Sequence, residues 1–402
     1  MTISGRKSEQ RNILIVKLFL FLLFPVIPVL WSIADMRRRS SYIILFLYAL
    51  LIGFCFTLNE STDYDSLRYV EEFENIETTF YIDFARWITL SSNVRDFYLN
   101  TLSFVVSFFT SNYHYLFLSA AFIFSLLCLS TLKYLTNDEK YNANMISFFI
   151  LLLFFISNSI ININAFRFWT AAWYVVWCSF NLILKERKYF WVLLLLSPFF
   201  HSSMFVYFCV MLLYRLTRKA GNFWEVLSVL SVFVSSFSVL IFQSIESYLP
   251  EALQSTIGYY TDKDYVALRS TGSGWYWVEV FFKEVIKVYF VVALLVINRN
   301  SKRVPLSISQ RHLLTFTFCI LTFSNFTSSI PSLGDRFIHI VYPFVCFFLL
   351  KYSNIKQVRS LILLIPFILS FSMVYTFVKM YIPLLPSSFF YSSPVSLVLQ
   401  FV

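Results

Sequence analysis

Residues 145–161 have the sequence MISFFILLLFFISNSII, an apolar run without a single charge. Such a run approaches the roughly 20 residues that an α-helix needs to cross a hydrocarbon core of about 30 Å. Residues 42–58 form a similar run. Neither run alternates between apolar and polar residues, as the strands of a membrane barrel would. Because only helices and closed barrels satisfy backbone groups in lipid, these runs predict an α-helical membrane protein.

The composition of the whole chain extends this prediction. The 402 residues are 58% hydrophobic and 13% charged, whereas a soluble domain carries about a quarter charged residues. The predicted fold class is all-α, a polytopic transmembrane helical bundle with about 10–12 membrane segments and re-entrant or half-helices, in which residues 1–402 form a single transmembrane domain. The net charge of +10 comes from residues in short loops, where they set orientation, so no nucleic-acid binding is expected.

Clusters of basic residues predict which loops are cytoplasmic. These clusters lie at residues 37–39, 185–188, 215–219, 299–311 and 351–359. The opposite face then receives two extracytoplasmic loops, residues 59–111 with a membrane-dipping segment and residues 243–274. Residues 189–214 have basic clusters at both ends but are too short for two crossings, which predicts a half-helix pair. Residues 13–34 are expected to form a retained anchor, although Pro25 and Pro28 also allow a hairpin.

Three basic side chains fall at the extracytoplasmic level of this topology, where the orientation signal does not call for them. Arg167 starts an apolar run, His201 lies at the turn of the half-helix pair, and Arg336 lies in a short outer turn. Arginine binds phosphate oxygens through two parallel hydrogen bonds, and imidazole can accept a proton near neutral pH. Together they suit a reaction on a lipid-linked pyrophosphate. Singly, Arg167 can extend to lipid headgroups, His201 can be an interior histidine and Arg336 can pair with Asp335.

Other polar and aromatic groups have two open interpretations. The acidic and basic residues of 279–287 lie on one face of a helix, where they form internal ion pairs or line a substrate cavity. Asp63 and Asp65 are common loop residues, and neither a metal site nor a cofactor is predicted from them. The aromatic residues of the outer loops can stack on sugars or anchor the interface. They are Tyr64, Tyr69, Tyr81, Trp87, Tyr259, Tyr260, Tyr265, Trp275, Tyr276 and Trp277.

An ordered set of short motifs resembles the EpsG-like branch of the Wzy-type polysaccharide polymerases. The motifs are Thr62-Asp63-Tyr64-Asp65, Asn164-Ala165-Phe166-Arg167 followed by Ala171, Phe200-His201-Ser202-Ser203, and Arg336 followed by Tyr342. Phe168 departs from the pattern, because the family favours Gln after this arginine.

The resemblance implies a GT-C-like membrane glycosyltransferase in the bacterial inner membrane. Such an enzyme would join undecaprenyl-pyrophosphate-linked oligosaccharide units into O-antigen, capsule or exopolysaccharide on the extracytoplasmic face. The implied partners are this lipid-linked oligosaccharide, membrane lipids and a chain-length regulator. The alternative functions are a flippase for the same carrier and an O-antigen ligase-type transferase.

The resemblance also implies roles for individual residues. Arg167 and Arg336 would bind phosphate, and His201 would be catalytic. The residues implied to bind substrate are Asp63, Tyr64, Asp65, Asn164, Ser203, Asp335 and Tyr342.

Overall fold

The computed structural model describes residues 3–58, 65–75, 97–137, 141–235, 237–245, 248, 276–330 and 333–401. In these ranges every regular element is a helix. The chain divides into two compact units. The first unit comprises residues 1–182, 188–206 and 373–402, and the second comprises residues 183–187 and 207–372. That residues 1–402 form one transmembrane domain stays a prediction.

The first unit contains most of the N-terminal helices. They are α1 (Ile3–Leu23), α2 (Val26–Ala34), α3 (Arg39–Phe54), α4 (Asp65–Glu74), α5 (Tyr98–Ser107), α6 (Tyr113–Thr136), α7 (Met145–Ser157), α8 (Phe166–Leu184) and α9 (Phe190–Leu195). Helix α10 (Met204–Thr217) begins in this unit. Residues 377–401 add short helical segments to it.

Helices α3 and α6 pack side by side in opposite directions. The Tyr42 hydroxyl lies 2.5 Å from Thr136 Oγ1 at one end, and Phe54 contacts Tyr115 at the other. Gly53 permits this packing, because a Cβ there would lie 2.5 Å from the Cβ of Ala121. The two backbones therefore approach closely, as small residues allow between membrane helices.

Trp173 marks the centre of the first unit. It is 1% exposed and packs between Phe154 of α7, with ring centroids 4.9 Å apart, and Phe124 of α6, 6.3 Å away. Contact between Phe154 and Trp173 requires α7 and α8 to fold back on each other. The turn between them is a 3₁₀-helix, Ile160–Ala165, closed by a 3.0 Å hydrogen bond from Asn158 Nδ2 to the Trp169 carbonyl. This turn places the first residues of α8 at the end of the bundle.

Helices α1 and α2 form a hairpin. Lys17 is 0% exposed; its Nζ donates to Ser41 Oγ at 2.8 Å, pairs with Asp35 at 3.8 Å and lies 5.0 Å from the centroid of the Trp31 ring. In one continuous helix Lys17 and Trp31 would be about 21 Å apart. The chain therefore turns near Pro25, which favours the hairpin over the single crossing.

Three helical stretches among the described residues are long and apolar enough to cross a membrane. They are Tyr113–Thr136, Met145–Leu184, which comprises α7, the 3₁₀-turn and α8, and Lys356–Leu384. Shorter apolar helices include Arg39–Phe54, Phe190–Phe199, Met204–Thr217 and Gly221–Phe233. The all-α membrane protein is confirmed at this level, while the number of membrane segments and the GT-C-like arrangement stay predictions.

The predicted half-helix pair contains a clear interruption. Helix α9 passes into a 3₁₀-turn, Ser197–Phe199, and α10 starts only at Met204. Proline in the turn lacks the N–H that would continue the helix. The interruption lies at residues 196–203, and the half-helix pair, with entry and return through one membrane face, stays a prediction.

The second unit contains the rest of α10 and the later helices. They are α11 (Gly221–Phe233), α12 (Phe237–Ile245), α13 (Tyr276–Asn300), α14 (Ile308–Phe326), α15 (Gly334–Tyr352), α16 (Lys356–Ile362) and the first part of α17 (Ile365–Thr376). Most of the predicted loop 243–274 lies outside the described residues. Helix α14 is central, with Phe316 packing on Tyr214 and on Phe344.

Helices α13 and α15 run in the same direction in the second unit. Lys283 contacts Asp335, and seven residues later on each helix Phe290 contacts Tyr342 with ring centroids 4.6 Å apart. Equal steps along both helices mean parallel packing. This packing brings the polar face of α13 to the first turn of α15.

Candidate functional site

Arg167 lies in the first turn of α8, directly after the 3₁₀-turn that reverses the chain. The side chain is partly buried. Its Nε donates a 3.1 Å hydrogen bond to the hydroxyl of Tyr69, and the guanidinium carbon lies 5.1 Å from the centroid of that ring. The guanidinium is therefore held by a protein partner, which differs from the simple extension to lipid headgroups.

Asn164 lies in the same turn and is 7% exposed. Its Oδ1 has no hydrogen-bond partner among the described residues. An unsatisfied buried carbonyl costs free energy unless a donor reaches it. A substrate hydroxyl would supply such a donor. The predicted role of Asn164 in substrate binding stays a prediction, and the unsatisfied oxygen is a physical reason for it.

His201 lies in the interruption between α9 and α10, where Ser203 holds it. The Nδ1 atom is 2.8 Å from Ser203 Oγ, and the Ser203 backbone N–H donates to Nδ1 at 3.3 Å. The backbone contact favours the tautomer with its proton on Nε2. In this tautomer Nδ1 carries the lone pair, and the Ser203 hydroxyl can donate to it as well.

Phe168 connects the two predicted catalytic residues. It follows Arg167 in the chain and packs edge-on against the His201 ring, with centroids 5.3 Å apart. The contact of this side chain to the imidazole is fully apolar. The first unit thus brings Arg167 and His201 to one end of the same bundle.

An aromatic cluster fixes the segment that carries His201. The Phe97 backbone N–H donates to the Phe199 carbonyl at 2.9 Å. The Phe200 ring lies 5.0 Å from the Tyr98 ring of α5 and 4.7 Å from the Tyr174 ring of α8. Helices α5 and α8 therefore hold the interruption from both sides, and His201 is anchored by its neighbours.

The first outer loop is described only in part. Asp63 and Tyr64 lie outside the described residues, as do residues 76–96. Asp65 begins α4 and forms a 2.9 Å ion pair with Arg68. Its predicted contact with substrate stays a prediction.

Tyr69, on α4, is the residue that sequence reasoning assigned differently. It was expected to stack on sugars or to anchor the interface, yet it is 1% exposed and contacts Arg167. The two residues are 98 positions apart, so no local spacing could reveal their contact. The sequence indicates only, through the amphipathic pattern of α4, that Tyr69 lies on its buried face.

Arg336 belongs to the second unit and lies in the first turn of α15. Gly334, two residues before it, is in close contact with the preceding turn, because a Cβ there would lie 2.4 Å from Ser328 Cα and 2.5 Å from the Thr327 carbonyl oxygen. Only glycine fits this approach without moving backbone. The position of Arg336 therefore depends on the packing of the helix start.

Asp335 pairs with Lys283 of α13 at 2.8 Å. The sequence predicts that Lys283 forms an ion pair or lines a cavity, and in the second unit it forms an ion pair. Lys287 pairs likewise with Glu284 at 2.5 Å. Tyr342 is buried between His339 and Phe290, so its predicted contact with substrate stays a prediction.

Chemically, the first unit offers a permanent cation, Arg167, and an imidazole, His201, which packs on the residue that follows this arginine. Arginine remains charged at any working pH and can bind a phosphate group through its N–H donors. The imidazole can donate or accept a proton, according to its tautomer. This pairing suits a reaction in which an anionic group leaves while a hydroxyl loses its proton.

A comparison with family models gives one match. The model of the EpsG family matches residues 40–391, which include all the residues predicted for the site. No curated protein matches the chain. No solved structure matches it either.

Proposed function

The chain belongs to the EpsG family, and on this basis we propose that it joins undecaprenyl-pyrophosphate-linked oligosaccharide units into a longer polysaccharide. Membership identifies a membrane protein of the polysaccharide-polymerase type. The finer proposal is a glycosyltransferase of the bacterial inner membrane that acts at the extracytoplasmic face. The product is O-antigen, capsule or exopolysaccharide.

The observation that supports this proposal is the arginine–histidine arrangement of the first unit. The Arg167 guanidinium is fixed on Tyr69, and Phe168 links it to His201. In the proposed reaction, a sugar hydroxyl of one carrier-linked unit attacks the anomeric carbon of another. A carbon–oxygen bond forms at that carbon, and its bond to the pyrophosphate breaks.

Each side chain has a defined part in this reaction. The pyrophosphate leaves with the bonding electrons, and Arg167 and Arg336 stabilise its negative charge. His201 accepts the proton of the attacking hydroxyl. Asn164 supplies an acceptor for a substrate hydroxyl. Neither a metal nor a cofactor is part of the proposal.

A genetic experiment tests the proposed function. Deleting the gene should remove long polysaccharide chains and leave single-unit glycan on a gel, and the wild-type gene should restore them. Arg167→Ala, His201→Ala and Arg336→Ala should each reproduce the deletion, because each removes a charge or proton-transfer group. All variants must reach the membrane in normal amounts.

Two basic residues expected on the cytoplasmic side provide matched controls. Arg359→Ala and His312→Ala remove the same side-chain types and should leave chain length unchanged. Wild-type chain lengths in all three site variants would contradict the site. Loss of single-unit glycan in the deletion strain would point to a flippase or a ligase.

A further inference from the structure

We infer that Tyr69 is a positioning residue, which holds the Arg167 guanidinium for the pyrophosphate of the lipid carrier. This inference rests on the proposed function and adds to it a residue from the first outer loop. In this inference α4 supplies the side chain that orients the Arg167 guanidinium.

The contact between the two side chains uses both parts of the tyrosine. The hydroxyl oxygen accepts the Nε–H at 3.1 Å, and the ring lies under the guanidinium with 5.1 Å between the ring centroid and the central carbon. A cation over an aromatic ring gains about 0.5–2 kcal/mol, more when water is excluded. Both contacts together restrict a side chain that would otherwise sample many rotamers.

Tyr69 is itself held firmly. It is 1% exposed, and its ring packs on Phe166 with centroids 4.8 Å apart. Phe166 immediately precedes Arg167, so the same tyrosine contacts two successive residues at the start of α8. The position of α4 and that of the guanidinium are thereby coupled.

The pattern of α4 explains why the tyrosine faces inward. Its buried residues recur at helical spacing, and its exposed face is acidic. The buried residues are Ser66, Tyr69, Val70 and Phe73. Arg68, on the exposed side, pairs with Asp65 and Glu72. A surface for stacking sugars would instead present the Tyr69 ring to solvent.

A phenol orients the arginine without neutralising it. Burial raises the pKa of Tyr69 to about 12, and this effect outweighs the opposing influence of the Arg167 charge. The hydroxyl is therefore neutral at physiological pH. A carboxylate in the same place would pair with the guanidinium and compete with a phosphate for it.

The test separates the hydroxyl from the ring. Tyr69→Phe keeps the ring and its packing but removes the acceptor for Nε–H. Full-length variant protein in proteoliposomes would be assayed with lipid-linked repeat units extracted from the deletion strain. We expect kcat/KM to fall about tenfold, as loss of a hydrogen bond to a charged group implies. Thermal unfolding of the purified protein should remain unchanged.

A double-mutant cycle distinguishes positioning from packing. Arg167→Lys retains a positive charge but lacks the Nε–H that Tyr69 accepts. If Tyr69 acts through Arg167, Tyr69→Phe should lower kcat/KM no further in the Arg167→Lys protein. Equal losses in both backgrounds would overturn the inference, because they would mean that the hydroxyl acts independently of Arg167.

Tyr134→Phe is the matched control. It removes another phenol hydrogen bond of the same unit, 2.7 Å to Asn181 Oδ1, at the far end of α8. This variant should retain wild-type kcat/KM. Wild-type activity of Tyr69→Phe with an inactive Arg167→Ala would overturn the inference and leave the proposed site standing. Wild-type activity of Arg167→Ala would overturn both.

Discussion

Ser203 holds the catalytic candidate His201 through Nδ1, with 2.8 Å between this atom and the serine Oγ. This contact fixes the orientation of the imidazole that accepts a proton in the proposed reaction. Ser203→Ala removes the contact, and we expect polymerisation to slow by about tenfold. The rate of chain elongation with extracted lipid-linked units would be measured.

Ser202 is the natural control for this prediction, because it is the exposed neighbour in the same motif. Ser202→Ala should elongate chains at the wild-type rate. Equal slowing in both variants would indicate that the turn itself has been disturbed, and normal elongation by Ser203→Ala would contradict the orienting role of the hydroxyl.

The sequence predicted some of these residues and missed others for a physical reason. Arg167 and His201 were identified because charged or titratable groups are costly at membrane depth and therefore conspicuous. Tyr69 was not assigned to Arg167, because aromatic residues are ordinary at membrane interfaces and the contact joins positions 98 apart. The sequence likewise does not identify the ion-pair partner of Asp335, which the structure shows to be Lys283.

Helix α15 begins at a glycine that backbone atoms of the preceding turn contact closely. Gly334→Ala would force these atoms apart and shift the first turn, which carries Arg336. We expect a destabilisation of about 1–3 kcal/mol, typical of overpacking, together with shorter polysaccharide chains. Glycan gels and thermal unfolding would measure the two effects.

Gly221 provides the control at the start of α11. A Cβ there has Thr315 Oγ1 as its nearest neighbour, at 3.3 Å. Gly221→Ala requires only a shift of a few tenths of an ångström by this side-chain atom, so it should retain chain length and change stability less than Gly334→Ala. Normal chains and normal stability from Gly334→Ala would contradict the close approach at α15.

The hairpin of α1 and α2 predicts the position of the N-terminus. Helix α2 has nine residues and is about 13 Å long, too short to cross a core of about 30 Å. Both ends of the hairpin should therefore lie on the cytoplasmic side with Arg37, Arg38 and Arg39. A fluorescent reporter fused to the N-terminus should fluoresce, and alkaline phosphatase fused after Arg39 should be inactive.

Fusions elsewhere calibrate this experiment. Alkaline phosphatase fused after residue 303 should be inactive, and the same enzyme fused after residue 64 should be active. Reporters on opposite sides for the N-terminus and Arg39 would contradict the hairpin and restore a single crossing. The hairpin precedes residues 40–391, which the family model matches.

At the scale of the whole molecule, hydropathy predicts where helices lie far better than it predicts which helices contact one another. The apolar run of residues 114–135 predicts a membrane-spanning helix with nearly the bounds of α6, Tyr113–Thr136, because a continuous apolar run leaves few alternatives. The apolar run of residues 222–242 likewise predicts one span, but the structure has two helices there, Gly221–Phe233 and Phe237–Ile245. Apolar runs specify burial in lipid or protein, but they do not specify which faces meet or where a helix is interrupted.

The division into two units likewise has no counterpart in the hydropathy pattern. The first unit gathers Arg167, His201 and Tyr69, which come from three separate parts of the chain. The second unit contains Arg336 with Asp335 and Lys283. Each contact depends on packing that a linear apolar pattern cannot encode, so the site is understood only from the folded chain.

Elongation by the purified full-length chain is the most direct test of the proposed function. Proteoliposomes would receive lipid-linked repeat units extracted from the deletion strain, and the products would be separated on a gel. We expect a ladder of longer carrier-linked glycans, with one undecaprenyl pyrophosphate released for each linkage formed, and no ladder from Arg167→Ala. Units that remain single in the presence of the wild-type chain, or that only cross the bilayer, would contradict it.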